Sequence, residues 1–206
     1  MTAGQSLRRL ARTLWRMPER LLHPLRRGAV LRRLRASPRP RGVLFVCHGN
    51  ICRSPYAAAY LKRLLPSQWR EAIQVESAGF IGPGRPCPQS AVELAAAQGL
   101  DLSQHRSQAL SPQAVDRKDL LVVMSSRQRQ MLQARYGRAR RDIVVLGDLD
   151  PEPIDTREIE DPVDRPGEIL RRSYARIERC VRALGASVAT SLGTRGQSLG
   201  REELQT

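Results

Sequence analysis

The chain has 206 residues with 35 basic and 20 acidic side chains, a formal charge of +15. No apolar run approaches the roughly 18 residues of a spanning helix, so an integral helical membrane protein is excluded. Four cysteines are too few for a disulfide scaffold. The charge is concentrated at one end: residues 1–42 hold twelve arginines against the single acid Glu19, and the other 164 residues carry only +4. The basic balance therefore describes an N-terminal arm, residues 1–41, more than a globular body.

Within the arm, Leu7, Leu10, Leu14, Met17 and Leu21 recur at helical spacing among the arginines. Pro18 and Pro24 are expected to interrupt that helix, and Pro38 and Pro40 mark a linker. A secretory signal is not expected, because no uninterrupted apolar stretch exists; a mitochondrial presequence has a similar composition. Two readings stay open for the arm. One is a surface helix for an anionic membrane or an acidic partner, and the other is a solvated, partly disordered extension. His23 has no evident role, and nucleic-acid binding is not expected, since Trp15 is the arm's one aromatic.

From Gly42 strands and helices alternate. Val43–Val46, Ile73–Ser77, Asp119–Met124 and Ile143–Leu146 read as buried strands. Pro55–Leu65, Pro88–Gln98, Ser126–Tyr136 and Gly167–Leu184 read as helices, with Gly99 and Gly137 ending the second and third. An acidic, proline-rich loop covers 147–166, and the tail from Gly185 is expected to be mobile. Four strands alternating with helices predict an α/β fold, a parallel sheet flanked by helices on both faces. The expected division is a basic arm at 1–41, partly helical or disordered, a folded α/β domain at 42–186 and a flexible tail at 187–206.

The chemistry concentrates after the first strand, in Cys47-His48-Gly49-Asn50-Ile51-Cys52-Arg53-Ser54-Pro55. Ligands in such sheets bind where strand ends lead into helix N-termini. Gly49 and Asn50 tolerate positive φ, which lets successive N–H groups turn inward around an anion. The helix N-terminus adds its dipole, and Arg53 offers a planar fork for two phosphate oxygens. Cys47 lies at the mouth of this positive field, where a thiolate is favoured and Ser54 can donate to it. A thiolate, an anion nest and an arginine suit covalent phosphoryl transfer. No metal or other cofactor is expected, because the nest and Arg53 supply the positive charge. Cys47, His48 and Cys52 lack a fourth ligand at zinc spacing. His48 is expected at the rim, and Cys87 and Cys180 are expected to be inert.

The stretch V-L-F-V-C-H-G-N-I-C-R-S-P, Val43 to Pro55, resembles the signature of low-molecular-weight protein tyrosine phosphatases. So do Ser77-Ala78-Gly79, the stretch Gly99 to Ser107, and Asp161-Pro162. The resemblance covers about residues 42–184. It implies a four-stranded parallel sheet and hydrolysis of a protein phosphomonoester, phosphotyrosine first, through a cysteinyl-phosphate. Carried over, Cys47 is the nucleophile and Arg53 the phosphate clamp, within a phosphate-binding loop of His48, Gly49, Asn50, Ile51, Cys52, Arg53 and Ser54. Asn50 would hold the loop, helped by Ser77 and His105, and Ser54 would stabilise the thiolate. Asp161 would be the general acid, with Asp164 as runner-up and the other loop acids forming a solvated rim. Cys52 would protect Cys47 through a reversible disulfide.

The resemblance has departures. Val163-Asp164-Arg165 follows Asp161-Pro162 where the family's tyrosine phosphatases place aromatics; Phe80, Tyr56 or His48 would have to compensate. The family's protein-arginine phosphatases carry threonine where Ile51 stands, which favours the tyrosine reading. Related arsenate reductases need relay cysteines, for which Cys87 and Cys180 are not evidently placed. The alternatives are a protein-arginine phosphatase and a phosphate-recognising module with little turnover. The resemblance points to a protein of the cytoplasm, and the arm adds peripheral membrane attachment as an option.

Overall fold

A computed structural model describes residues 3–196, with side chains over 19–191. The four strands are β1 Gly42–Cys47, β2 Gln74–Gly79, β3 Leu120–Val123 and β4 Ile143–Val145. They form one parallel sheet in the order β2-β1-β3-β4. The helices are α1 Ala3–Ala36, α2 Arg53–Leu64, α3 Ser67–Arg70, α4 Gln89–Ala96, α5 Pro112–Asp116, α6 Ser126–Tyr136 and α7 Gly167–Gly196.

The sheet is buried on both faces, which is why its strands read as continuous apolar runs. Val43 and Phe45 of β1, with Val122 and Val144, face Tyr56 and Leu61 of α2 and Ile177, Val181 and Leu184 of α7. Leu44 and Val46, with Leu121, Val123, Ile143 and Val145, face Val115 of α5 and Leu132 of α6. The chain runs from β1 to β2 on one side, then crosses to β3 on the other. The loop after β1 therefore leaves the sheet at the topological switch point, where such sheets bind ligands.

The boundaries of α6 follow from its sequence. Ser125 Oγ accepts from the Gln128 N–H at 3.2 Å, and Gly137 ends the helix at φ 64°. Two expectations are corrected. First, α1 runs through Pro18 and Pro24 as one helix. A proline removes one hydrogen bond there, but Leu34 is buried in the core, Val30 and Leu31 pack against it, and His23 is buried. That tertiary contact holds the helical path. Second, residues 185–196 continue α7 instead of beginning a mobile tail. Val188 is buried in the core, Leu61 packs at Gly185, and Ser187 Oγ donates to Ala183 O at 2.9 Å. The rest of the expected tail, 197–206, lies outside the described residues.

The acidic loop is also not the solvated rim expected. Asp148 and Asp150 are buried. Arg157 binds Asp148 through both arms, at 2.6 and 2.5 Å, and Arg176 and Arg179 bind Asp150 at 2.9 and 3.1 Å. Ile159 N donates to Met124 O at 2.9 Å, and Ser173 Oγ donates to Glu160 O at 2.9 Å. These ties bring Asp161 over the end of β1. Each of these buried acids is paired with guanidinium groups from a neighbouring segment, which gives its carboxylate oxygens partners out of water.

Candidate active site

The loop from Cys47 to Ser54 closes around the Cys47 sulfur. Ser54 Oγ lies 3.0 Å from it, and the Asn50 N–H donates to it at 3.2 Å. Asn50 Nδ2 donates to Ser54 Oγ at 2.9 Å, so the serine's own proton has two acceptors in reach, the sulfur at 3.0 Å and, more distantly, Ala78 O at 3.4 Å. The N-cap of α2, Cys52, makes no side-chain capping bond, so the first amides of α2 are open to a ligand oxygen.

Asn50 is the strained and most connected residue of the loop. Its φ is 52°, in the left-handed region where asparagine is among the tolerated residues. Nδ2 also donates to Ser77 Oγ at 2.8 Å, and Oδ1 accepts from the Gln108 N–H at 2.8 Å. The Asn50 carbonyl lies 2.8 Å from His105 Nε2, so the ring donates with that nitrogen protonated. The structure thus brings Ser77 and His105 to the loop as expected supports. Gly79 and Gln108 join them, and sequence reasoning assigned neither a role. A Cβ at Gly79 would sit 2.9 Å from Asn50 N and from His48 O, so only glycine lets β2 approach the loop this closely. The S-A-G match carried that signal without its reason. Arg85 Nη2 donates to Gly49 O at 2.9 Å from outside the loop, a further contact the sequence did not announce.

Arg53 opens α2 and is 6% exposed. Its Nη1 donates to Ile159 O at 3.1 Å, and its Nη2 pairs with Asp161 Oδ2. The guanidinium is thereby tied to the acidic loop, with the half-buried Asp161 beside it. Asp161 Oδ1 accepts from Val163 N at 3.3 Å. The runner-up Asp164 is exposed at φ 55° and has no such contact with Arg53.

The remaining predicted positions sort by burial. His48 is exposed at the rim and Gly49 is half-buried; Ile51 is half-buried and packs on the core. Tyr56 cannot wall a substrate ring, contrary to one option above: it is fully buried, stacked 3.6 Å from Tyr174, and its hydroxyl donates to Glu178 at 2.7 Å. Phe80, whose N–H donates to His48 O at 2.9 Å, stays half-buried at the site's edge, and Val163 and Ile81 are exposed. Cys52 and Cys87 are buried in the same cluster as Cys47. Burial pushes the Cys52 thiol up to about 12 and the Cys87 thiol up to about 11, so both are protonated at neutral pH. Cys180 is fully buried in α7, and burial raises its pKa too.

A sulfur enclosed by its own loop, with an arginine and a carboxylate paired at the loop mouth, is the arrangement of a cysteine-dependent phosphatase. Comparison with known proteins agrees. Residues 42–194 match the family described as low molecular weight phosphotyrosine protein phosphatase. A probable low-molecular-weight protein-tyrosine-phosphatase EpsP of Ralstonia solanacearum is 39% identical over 143 residues, 68% of this chain and 91% of the relative. The low-molecular-weight protein-tyrosine-phosphatase Wzb of Salmonella typhi is 32% identical, over 68% of this chain and 89% of the relative. Among solved structures, the tyrosine phosphatase Wzb of Escherichia coli K30 in complex with sulphate superposes with a TM-score of 0.64. It is 27% identical, over 72% of this chain and 98% of that one. The YwlE arginine phosphatase of Geobacillus stearothermophilus gives 0.63 at 29% identity, over 73% of this chain and 94% of that one. The chain belongs to the low-molecular-weight phosphotyrosine protein phosphatase family, and it is an enzyme of the phosphatase class.

Proposed function

We propose that the protein hydrolyses phosphotyrosine on protein substrates through a phosphocysteine on Cys47. The observation that carries this reading is the closure of one loop around the Cys47 sulfur, with Arg53 and Asp161 paired at its mouth. The incoming phosphoryl oxygens take the open α2 amides and the Arg53 fork, which draws Arg53 from Asp161 and frees that carboxyl to face the leaving oxygen. The Cys47 thiolate attacks phosphorus; the P–O bond to the tyrosine breaks, and Asp161 gives its proton to the phenolic oxygen. Asp161 then takes a proton from water, the water oxygen attacks phosphorus, and the S–P bond breaks to return thiolate and inorganic phosphate. Ser54 stabilises the sulfur anion each time it reappears, through its 3.0 Å contact.

Ile51 supports phosphotyrosine over phosphoarginine, and Phe80 with the exposed His48 and Val163 offers the remaining surface for the ring. Cys52 serves as the guard thiol. Peroxide oxidises the Cys47 thiolate to a sulfenic acid, Cys52 sulfur displaces its hydroxyl as water, and a thiol reductant reopens the disulfide. The enzyme works in the cytoplasm, held at the periphery by residues 1–41 against an anionic membrane or an acidic partner.

Steady-state turnover of phosphotyrosine, phosphoserine and phosphoarginine peptides tests the substrate. Highest kcat/KM on phosphotyrosine supports the reading. Preference for phosphoarginine overturns it, as does one burst of product without steady turnover.

A further inference from the structure

The family match begins at residue 42, and the EpsP relative is covered over 91% of its length by the matched region of this chain. Helix α1 is therefore an addition to a domain already complete for catalysis. It has two sides. His23, Arg27, Val30 and Leu34 follow the i, i+4, i+7, i+11 spacing of a single stripe. That stripe is docked. His23 Nε2 lies 2.9 Å from Asp150 O, Arg27 Nε donates to Leu149 O at 3.3 Å, and Leu34 is buried. Half a turn around, Leu21 and Leu25 form a second stripe with Arg32, and Leu22 stands on its shoulder. Leu21 is 68% exposed, Leu25 71% and Leu22 48%. They are three of only seven large apolar residues exposed among the described residues. Leucines that the docked side could have buried are instead presented to solvent.

Charge selects what covers them. Arg32 and Arg35 are exposed and make no ion pair among the described residues. The helix's acid, Glu19, is taken by Arg26 at 2.6 Å. A second copy meeting it face to face would bring its own arginine-rich arm, with twelve arginines against one acid over residues 1–42, against the same arginines. An apolar stripe flanked by arginines on a helix lying across the domain fits the boundary between lipid head groups and acyl chains. The sequence carries the same period toward the N-terminus in Leu7, Leu10 and Leu14, with Arg8, Arg9, Arg12 and Arg16 between. No helix among the described residues is long and apolar enough to cross a membrane, so α1 would lie in the surface.

The geometry points to the outward face of α1 as the docking surface for an anionic lipid bilayer. This deepens the reading of residues 1–41 given above and is independent of the phosphatase chemistry. Since the inner stripe remains bound to the domain, docking holds the catalytic body rigidly at the membrane without unfolding α1 from it.

The test is co-sedimentation of the full chain with phosphatidylcholine vesicles, with and without phosphatidylglycerol, alongside p-nitrophenyl phosphate turnover in the same samples. Expected are binding to the phosphatidylglycerol vesicles only, release at high salt, and a loss of about tenfold or more in the Leu21→Glu/Leu25→Glu variant. Arg32→Gln/Arg35→Gln should weaken binding less. Both variants should keep wild-type turnover, because neither pair touches the site. The proposal is overturned by equal binding of the leucine variant and wild type, by equal binding to neutral vesicles, or by no binding at all. A dimer in light scattering that the leucine variant abolishes assigns the face to a second copy and overturns it too. Vesicle binding by a protein without turnover would leave this inference standing and sink the phosphatase reading instead.

Discussion

The loop around Cys47 and the helix α1 handle their polar and apolar groups in opposite ways. In the loop, polar groups are tied more than once: Asn50 alone reaches Ser54, Ser77, Gln108 and His105. Its left-handed backbone persists because these partners over-determine it. On α1 one stripe is tied to the domain and the opposite stripe presents leucines to solvent. A site that must hold a reacting atom within a fraction of an ångström is built from mutual constraint. A surface that meets a fluid partner needs only periodicity and charge. Damage to the loop should therefore destroy rate, while damage to α1 should alter stability or location and leave rate alone.

Changes at the sulfur should separate the two regions most sharply. Cys47→Ser should lower p-nitrophenyl phosphate hydrolysis by at least ~10⁴-fold, since a serine hydroxyl is a far weaker nucleophile and a far poorer leaving group than the thiolate. Measurable steady turnover by that variant would end the comparison. Asp161→Asn should lower kcat by ~10²–10⁴-fold on phenyl phosphate, and by less on p-nitrophenyl phosphate, whose leaving group needs a proton less. A uniform loss across leaving groups would remove Asp161 from the acid's role.

Stability changes come next. Leu34→Ala, on the docked side of α1, should destabilise the full chain by about 2–5 kcal/mol in urea unfolding, while the remaining folded enzyme keeps its kcat. Asn50→Ala should instead lower activity in the folded protein, with a stability cost of about 1–3 kcal/mol from the unsatisfied Gln108 amide and hydroxyls. If the two variants showed the same profile, the two regions would not be distinct. The smallest effect is alkaline. Cys52 and Cys87 hold their protons to about 12 and about 11 in the fold, against about 9 when unfolded. The folded state binds more protons between those values, so stability should fall as pH rises above about 9. Cys52→Ala/Cys87→Ala should flatten the decline in Tm over that range, and an unchanged slope would show that these thiols do not carry it.

Much of this was legible in the residues, for local reasons. Short buried apolar runs marked the four strands, and Gly137 marked the end of α6. Cys47, Asn50, Arg53 and Ser54 lie within eight residues, so their convergence needs only one loop. Asp161 is 108 residues from Arg53, and the motif match, with Pro162 holding it out of helix geometry just before the last helix, singled it out from the neighbouring acids. What was misread depended on distant partners. Asp148 and Asp150 look like solvated acids until Arg157, Arg176 and Arg179 surround them. His23 looks idle until Asp150 O meets it. Tyr56 looks available to a substrate until Tyr174 stacks on it.

The sequence by itself determined the catalytic loop and the sheet that presents it, because short-range spacing, the left-handed tolerance of Asn50 and continuous apolar runs fix both without reference to the rest of the chain; Gly49, expected to share that backbone freedom, is not at positive φ. Tertiary structure alone decided the burial of the acidic loop, the glycine requirement at position 79, the extension of α7 to Gly196 and the orientation of α1. Each of those depends on which surface another segment covers, and burial is a property of the packed pair that neither sequence segment carries alone.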